Sequence, residues 1–149
     1  VFGDRGHVVE LSTGYLTYEQ LDAEVLAIAD DFRSFGVGMV HVTFGFGCQV
    51  DRLVQTEDVP VPTSRFAQFI ADCEADETYD LGEANLHVRG GGVEFLLCHE
   101  RDVHCSGEDG PLLLAVRKRW AREYERSHER RSGGRWHRLA GRPRDTREI

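Results

Sequence analysis

The densest chemistry in the chain is Cys98-His99-Glu100-Arg101-Asp102-Val103-His104-Cys105, with two thiols, two imidazoles and two carboxylates in eight residues. Thiolates and imidazoles are the ligands zinc prefers. If His99 to Asp102 form a turn between antiparallel strands, Cys98 faces Val103, Leu97 faces His104 and Leu96 faces Cys105. Side chains alternate along a strand, so Cys98 and Cys105 then share a face as diagonal neighbours, and His104 points away with Leu97. Two thiolates so placed are half of a tetrahedral zinc site, to be completed by Cys48, Cys73 or His87. Against this, paired zinc ligands usually have about two to four residues between them, whereas six separate these cysteines. Buried core thiols are the simpler reading, because unpaired cysteine is one of the most buried residue types. No other cofactor is expected.

A cysteine nucleophile paired with His87, His99 or His104 is the other chemistry this stretch offers. No cysteine sits at an expected helix N-terminus, where a thiolate would be favoured. Neighbours on a strand point to opposite faces, so in strand geometry neither Cys98–His99 nor His104–Cys105 forms a dyad. A small zinc-binding or thiol-dependent enzyme centred on residues 98–105 is therefore the alternative reading, and no catalytic residue is assigned.

Two further motifs resolve into turns. Thr43-Phe44-Gly45-Phe46-Gly47-Cys48-Gln49-Val50 echoes the aromatic–glycine alternation of RNA-recognition strands, but the leading basic residue is absent. Gly90-Gly91-Gly92 joins two strand patterns, and no Lys-Ser/Thr follows it as a phosphate loop requires. The carboxylates do not follow calcium-loop spacing. Those at Asp30, Asp31, Glu57, Asp58, Asp76, Glu77, Glu108 and Asp109 read as a solvated acidic face, available to a basic partner.

The elements that position these residues follow from periodicity. His7 to Leu11 reads as a strand. Leu21, Val25, Ile28, Phe32 and Phe35 recur at helical spacing, which predicts a helix over 18–35. Thr17 and Gln20 form a capping box at its start, and Gly36 supplies the left-handed C-cap. Val37 to Phe46 and Cys48 to Val54 are strand-like, and Pro60 and Pro62 are expected to end any strand. Thr63 or Ser64 is expected to cap a second helix bearing Phe66, Phe69, Ile70 and Cys73. Ala84 to Arg89 and Val93 to Cys98 predict a hairpin, and Val103 to Cys105 a short third strand. Pro111 opens a third helix, with Leu113, Val116, Trp120 and Tyr124 on one face. The fold class is α+β: a mainly antiparallel sheet with three helices. Its first six elements run in the split βαβ order of ferredoxin-like folds.

Size and charge bound the function. The 149 residues suit one domain, expected over 1–126 and followed by an Arg-rich tail over 127–149. Residues 1–110 carry six Arg and 21 acids, net −15, whereas 111–149 carry 12 Lys and Arg and five acids, net +7. An acidic body repels nucleic acid and attracts basic proteins with fast, salt-sensitive association. Nucleic acid is expected only at the tail, where Trp136 lies among arginines. That tail either folds onto its own body or lies on a second copy, giving a homo-oligomer. The longest apolar run, Leu112 to Val116, is too short for a membrane span. No signal segment is legible, and the cysteines sit in apolar segments, so a reduced, cytoplasmic setting is expected. Small acidic α+β chains without a catalytic motif are similar in type to toxin-immunity proteins and phage-encoded inhibitors of bacterial defence. The leading expectation is a non-enzymatic acidic protein that inhibits or regulates a basic partner. A self-associating structural or regulatory domain is the third reading.

Overall fold

A computed structural model describes residues 8–45, 58–132 and 134–139. Eight strands and three α-helices alternate along these residues. They run β1 (Val8–Ser12), α1 (Tyr18–Ser34), β2 (Met39–Phe44), β3 (Val59–Pro62), α2 (Phe66–Ala75), β4 (Leu86–Gly90), β5 (Val93–Leu97), β6 (Val103–Glu108), α3 (Pro111–Glu123), β7 (His128–Arg131) and β8 (His137–Arg138). The strands form one sheet in the order β3-β2-β4-β5-β6-β1-β7-β8, and every ladder is antiparallel.

The sheet is two-faced because its strands alternate. Val9, Leu11, Val42, Val88, Phe95, Leu97, Val103 and Cys105 point inward and are buried. Glu10, Ser12, His41, Thr43, His87, Glu94, Leu96, His104 and Ser106 point outward. All three helices pack on the inner row. Phe32 of α1 meets Phe95 edge-on, Trp120 of α3 does the same from the other side, and Phe69 of α2 packs on Phe44. Turning the apolar stripes of three helices onto one sheet face buries one continuous core.

Helix α1 begins where the sequence places it. The Thr17 hydroxyl accepts the Gln20 amide at 3.1 Å, and the Gln20 side chain accepts the Thr17 amide at 2.9 Å. Gly36 follows the C-cap with φ +77°, a left-handed conformation that glycine adopts without a Cβ clash. Phe35 does not continue the buried stripe: it is the C-cap residue and is exposed.

The β4–β5 hairpin also matches. Gly91 and Gly92 both have positive φ, the two-residue turn that suits the twist of flanking strands.

Three expectations are corrected. First, the split βαβ winding is not the one observed. Such a unit leaves room for one strand between two parallel ones, whereas β4, β5 and β6 all lie between β2 and β1. The short turns after β4 and β5 fold these strands into a meander that occupies the central positions. Second, Pro60 and Pro62 lie within edge strand β3 rather than ending a strand. The Thr63 amide bonds to the Gly38 carbonyl at 3.0 Å. Antiparallel pairs alternate between bonded and non-bonded, so the prolines opposite His41 and Met39 fall in non-bonded positions. A missing N–H is tolerated there, on a sheet edge.

Third, Thr63 does not cap α2. Its hydroxyl donates to the Val37 carbonyl at 2.7 Å, and a 3-10 turn over Thr63–Arg65 precedes the helix. Strand β7 pairs with β1 from Val9↔Arg131 to Ser12↔His128. Leu139 is buried, with its amide on the Ser127 carbonyl at 3.0 Å. The strand expected over 48–54, with Phe46, Cys48 and Glu57, lies outside the described residues.

Candidate functional site

The 98–105 segment folds with a register one residue away from the expected one. Leu97 pairs with Val103, Leu96 with His104 and Phe95 with Cys105. The turn therefore takes five residues, closed by Cys98 N–H to Asp102 O at 2.9 Å and Arg101 N–H to Cys98 O at 3.0 Å. Cys105 lies inside the core opposite Phe95, and burial pushes its thiol well above the ordinary range. Cys98 is in the turn, outside the strand. Among the described residues no group of three or more His, Cys, Asp or Glu is placed to hold a metal ion.

Outside strand geometry, Cys98 and His99 do come together, with Sγ to Nδ1 at 3.7 Å. The same Nδ1 lies 3.1 Å from Asn85 Oδ1, which also accepts the His99 amide at 2.7 Å. A carboxamide oxygen only accepts, so Nδ1 carries the proton in this arrangement and offers no lone pair to the thiol. On the other side stands Asp102. Burial raises its pKa, but hydrogen bonds from His104 and Cys98 outweigh burial and hold it below the ordinary range. A thiol donating to a carboxylate is the opposite of an activated nucleophile.

The outer face of the sheet is polar and internally paired. His87 Nδ1 bonds Glu94, His104 Nε2 lies 2.9 Å from Asp102, and Arg130 donates to Glu10 at 2.9 Å. Glu94 is held below its ordinary range by the His87 bond. Glu10, His87, Glu94 and His104, with Leu96 and Ser106, line a shallow hollow of about 230 Å³.

The acids expected to face a partner separate into two kinds. Asp31 is only 15% exposed at its side chain and is gripped by Arg119 at 2.6 Å. Burial, the largest influence, raises its pKa. Asp30 pairs with Arg33, Asp58 with Arg89 and Thr43, and Asp109 with Arg131 at 2.8 Å. Asp76 and Glu77 are different. Together with Asp72, Glu74, Asp80 and Glu83 they make no ion pair with Arg, Lys or His among the described residues. Asp76 holds the Thr78 amide and hydroxyl, Asp72 accepts from Gln68, Glu74 accepts the Leu81 amide, and Glu83 accepts from Tyr18. Glu108 stands at the end of β6 and is exposed.

Part of the basic segment pairs with acids of the same chain. Arg117 forms a two-pronged pair with Glu129, at 2.8 and 3.0 Å. Arg130 and Arg131 take Glu10 and Asp109. Trp136 lies under the Arg130 guanidinium, 4.7 Å from carbon to ring centroid.

The most buried charge is one that periodicity passed over. Glu24 of α1 is fully buried and accepts four hydrogen bonds. Arg119 donates to both its oxygens at 2.8 and 2.9 Å, Trp120 Nε1 donates at 2.9 Å and the Tyr124 hydroxyl at 2.6 Å. The legible signal was a carboxylate three residues after Leu21, on the apolar stripe. This network locks α1 to α3. Comparison with protein-family models, with characterised proteins and with solved structures returned no match.

Proposed function

We propose that the chain is a non-catalytic acidic binding protein that inhibits or regulates a basic protein partner in the cytoplasm, in the manner of toxin-immunity proteins and phage-encoded anti-defence inhibitors. One observation supports this reading above the others. The chain's own arginines satisfy Glu10, Glu24, Asp31, Asp58, Asp109 and Glu129, yet the acids from Asp72 to Glu83 have no ion pair among the described residues. A concentrated negative segment raises the field outside the protein and speeds encounter with a positive surface. The thiol chemistry adds nothing against this, because Cys98 donates to a carboxylate and Cys105 is sealed in the core. Thiols at Cys73, Cys98 and Cys105 accord with a reducing compartment.

The test compares the wild-type chain, immobilised as bait, with Asp76→Lys/Glu77→Lys/Asp80→Lys. A basic protein held by wild type, released by added salt and lost from the variant is the expected result. Equal retention by both baits would remove the reading. With the captured protein in hand, its association rate should fall with ionic strength for wild type and be nearly flat for the variant.

A further inference from the structure

Four segments meet at one end of the molecule around Arg101. Its guanidinium carbon lies 4.6 Å from the Tyr15 ring centroid and 4.5 Å from that of Tyr18. It also donates to the Tyr15 hydroxyl, while the Tyr18 hydroxyl donates to Glu83. Both tyrosines stand out from the surface, at 53% and 45% exposure.

The stack is held by the backbone beneath it. The Leu16 amide bonds the Arg101 carbonyl at 2.7 Å. Arg101 itself has φ 65°, a left-handed conformation uncommon outside glycine and enriched where a side chain must be aimed. Gly82, at φ +88°, forms the floor: a Cβ there would come within 3.0 Å of Tyr18 Cε1 and 3.1 Å of Arg101 Cγ. Helix α1 already has its cap from Thr17 and Gln20, so its start does not need this stack. Glu19, Glu83 and Glu100 are sequence neighbours of its members or bonded to them, and Asp80 is close enough to act on Tyr18.

We propose that the Tyr15–Arg101–Tyr18 stack is the anchor of a docking surface for a basic protein, whose apolar side chains cover the rings while its Lys and Arg engage the surrounding acids. This rests on the reading of the chain as an acidic binding protein, and it names where that binding is centred. Tyr and Arg are the residue types that dominate binding hot spots, and energetically minor polar contacts around them exclude water. Tyrosine supplies area with only two side-chain torsions to freeze. Here these torsions are already fixed by the Arg101 sandwich, which lowers the ordering cost of association. The charge of the surrounding segment selects a cationic occupant rather than an acidic peptide or nucleic acid.

The experiment titrates the full ¹⁵N-labelled chain with a peptide of alternating Arg and Leu and follows its amide resonances. Shifts concentrated at residues 15–19, 80–83 and 99–102 are expected. Tyr15→Ala and Tyr18→Ala should each weaken binding at least about tenfold with amide dispersion preserved, and Tyr15→Phe and Tyr18→Phe should stay near wild type. Binding centred on residues 72–77, or unchanged in the alanine variants, would overturn the stack as anchor and leave the acidic reading standing. No salt-sensitive shift in the wild-type spectrum would overturn both.

Discussion

Replacing Glu24 by Gln tests whether the α1–α3 lock is as strong as its geometry implies. The substitution keeps shape and volume, so no cavity is opened. It removes one of the two carboxylates that grip Arg119, whose side chain is only 11% exposed, and leaves Asp31 at 2.6 Å. It also sets an NH₂ group where an oxygen now accepts two donors. One Glu24 oxygen takes Arg119 Nη1 and the Tyr124 hydroxyl; the other takes Arg119 Nη2 and Trp120 Nε1. If the first becomes the amide nitrogen, Arg119 Nη1 faces a donor while the Tyr124 hydroxyl can turn to accept; if the second does, Arg119 Nη2 and Trp120 Nε1 both face a donor. Breaking one side of a buried, hydrogen-bonded ion pair costs about 3–5 kcal/mol when the other charge is left alone; with Asp31 still on Arg119, about 2–4 kcal/mol is expected. In a domain near 150 residues, 1 kcal/mol moves the melting temperature by roughly 2–4 °C, so a fall of about 4–16 °C is expected. Urea unfolding followed by tryptophan fluorescence reads the same loss, since Trp120 is a member of the network. The double variant with Arg119→Met should show a coupling of about 1–3 kcal/mol with Glu24→Gln. A loss below about 1 kcal/mol, the worth of an exposed pair, would refute the assignment of the lock to Glu24.

Two smaller perturbations probe other parts of the fold. Asp102 has a folded pKa below its unfolded value, so the stability it contributes is full above about pH 4 and fades as pH falls through the lowered value. The stability gap between wild type and Asp102→Asn, measured by urea unfolding at stepped pH, should therefore be constant near neutrality and close in acid; a gap that widens in acid would contradict the pairing with His104 and Cys98. Thr17→Ala removes the acceptor of the α1 capping box and should cost about 1 kcal/mol, read as a small drop in melting temperature, with no drop if the Gln20 arm alone holds the helix start.

What was legible in the sequence was what depends on neighbours. The capping box, Gly36, the Gly91–Gly92 hairpin and Pro111 at the head of α3 are each fixed by a few adjacent residues, and each stands where the sequence put it. What was not legible depends on which strand lies beside which. Pro60 and Pro62 read as strand breakers until the sheet places β3 on an edge in a register that asks nothing of their nitrogens. The basic segment after residue 126 shows no apolar period, because β7 faces the polar side of the sheet with Arg130 and answers the helix side with Glu129, an ion-pair partner of Arg117. The one-residue change in the turn after β5 is the most consequential. Side chains alternate with a period of two, so a single step exchanges the two faces of the strand pairing. It moves Cys105 from a diagonal neighbour of Cys98 to a partner of Phe95, and places His104 beside Leu96 on the outer face. A site inferred from strand alternation is only as good as the turn length assumed, whereas a charge distribution survives any register. That is why the acidic segment, and not the cysteine pair, carries the functional proposal.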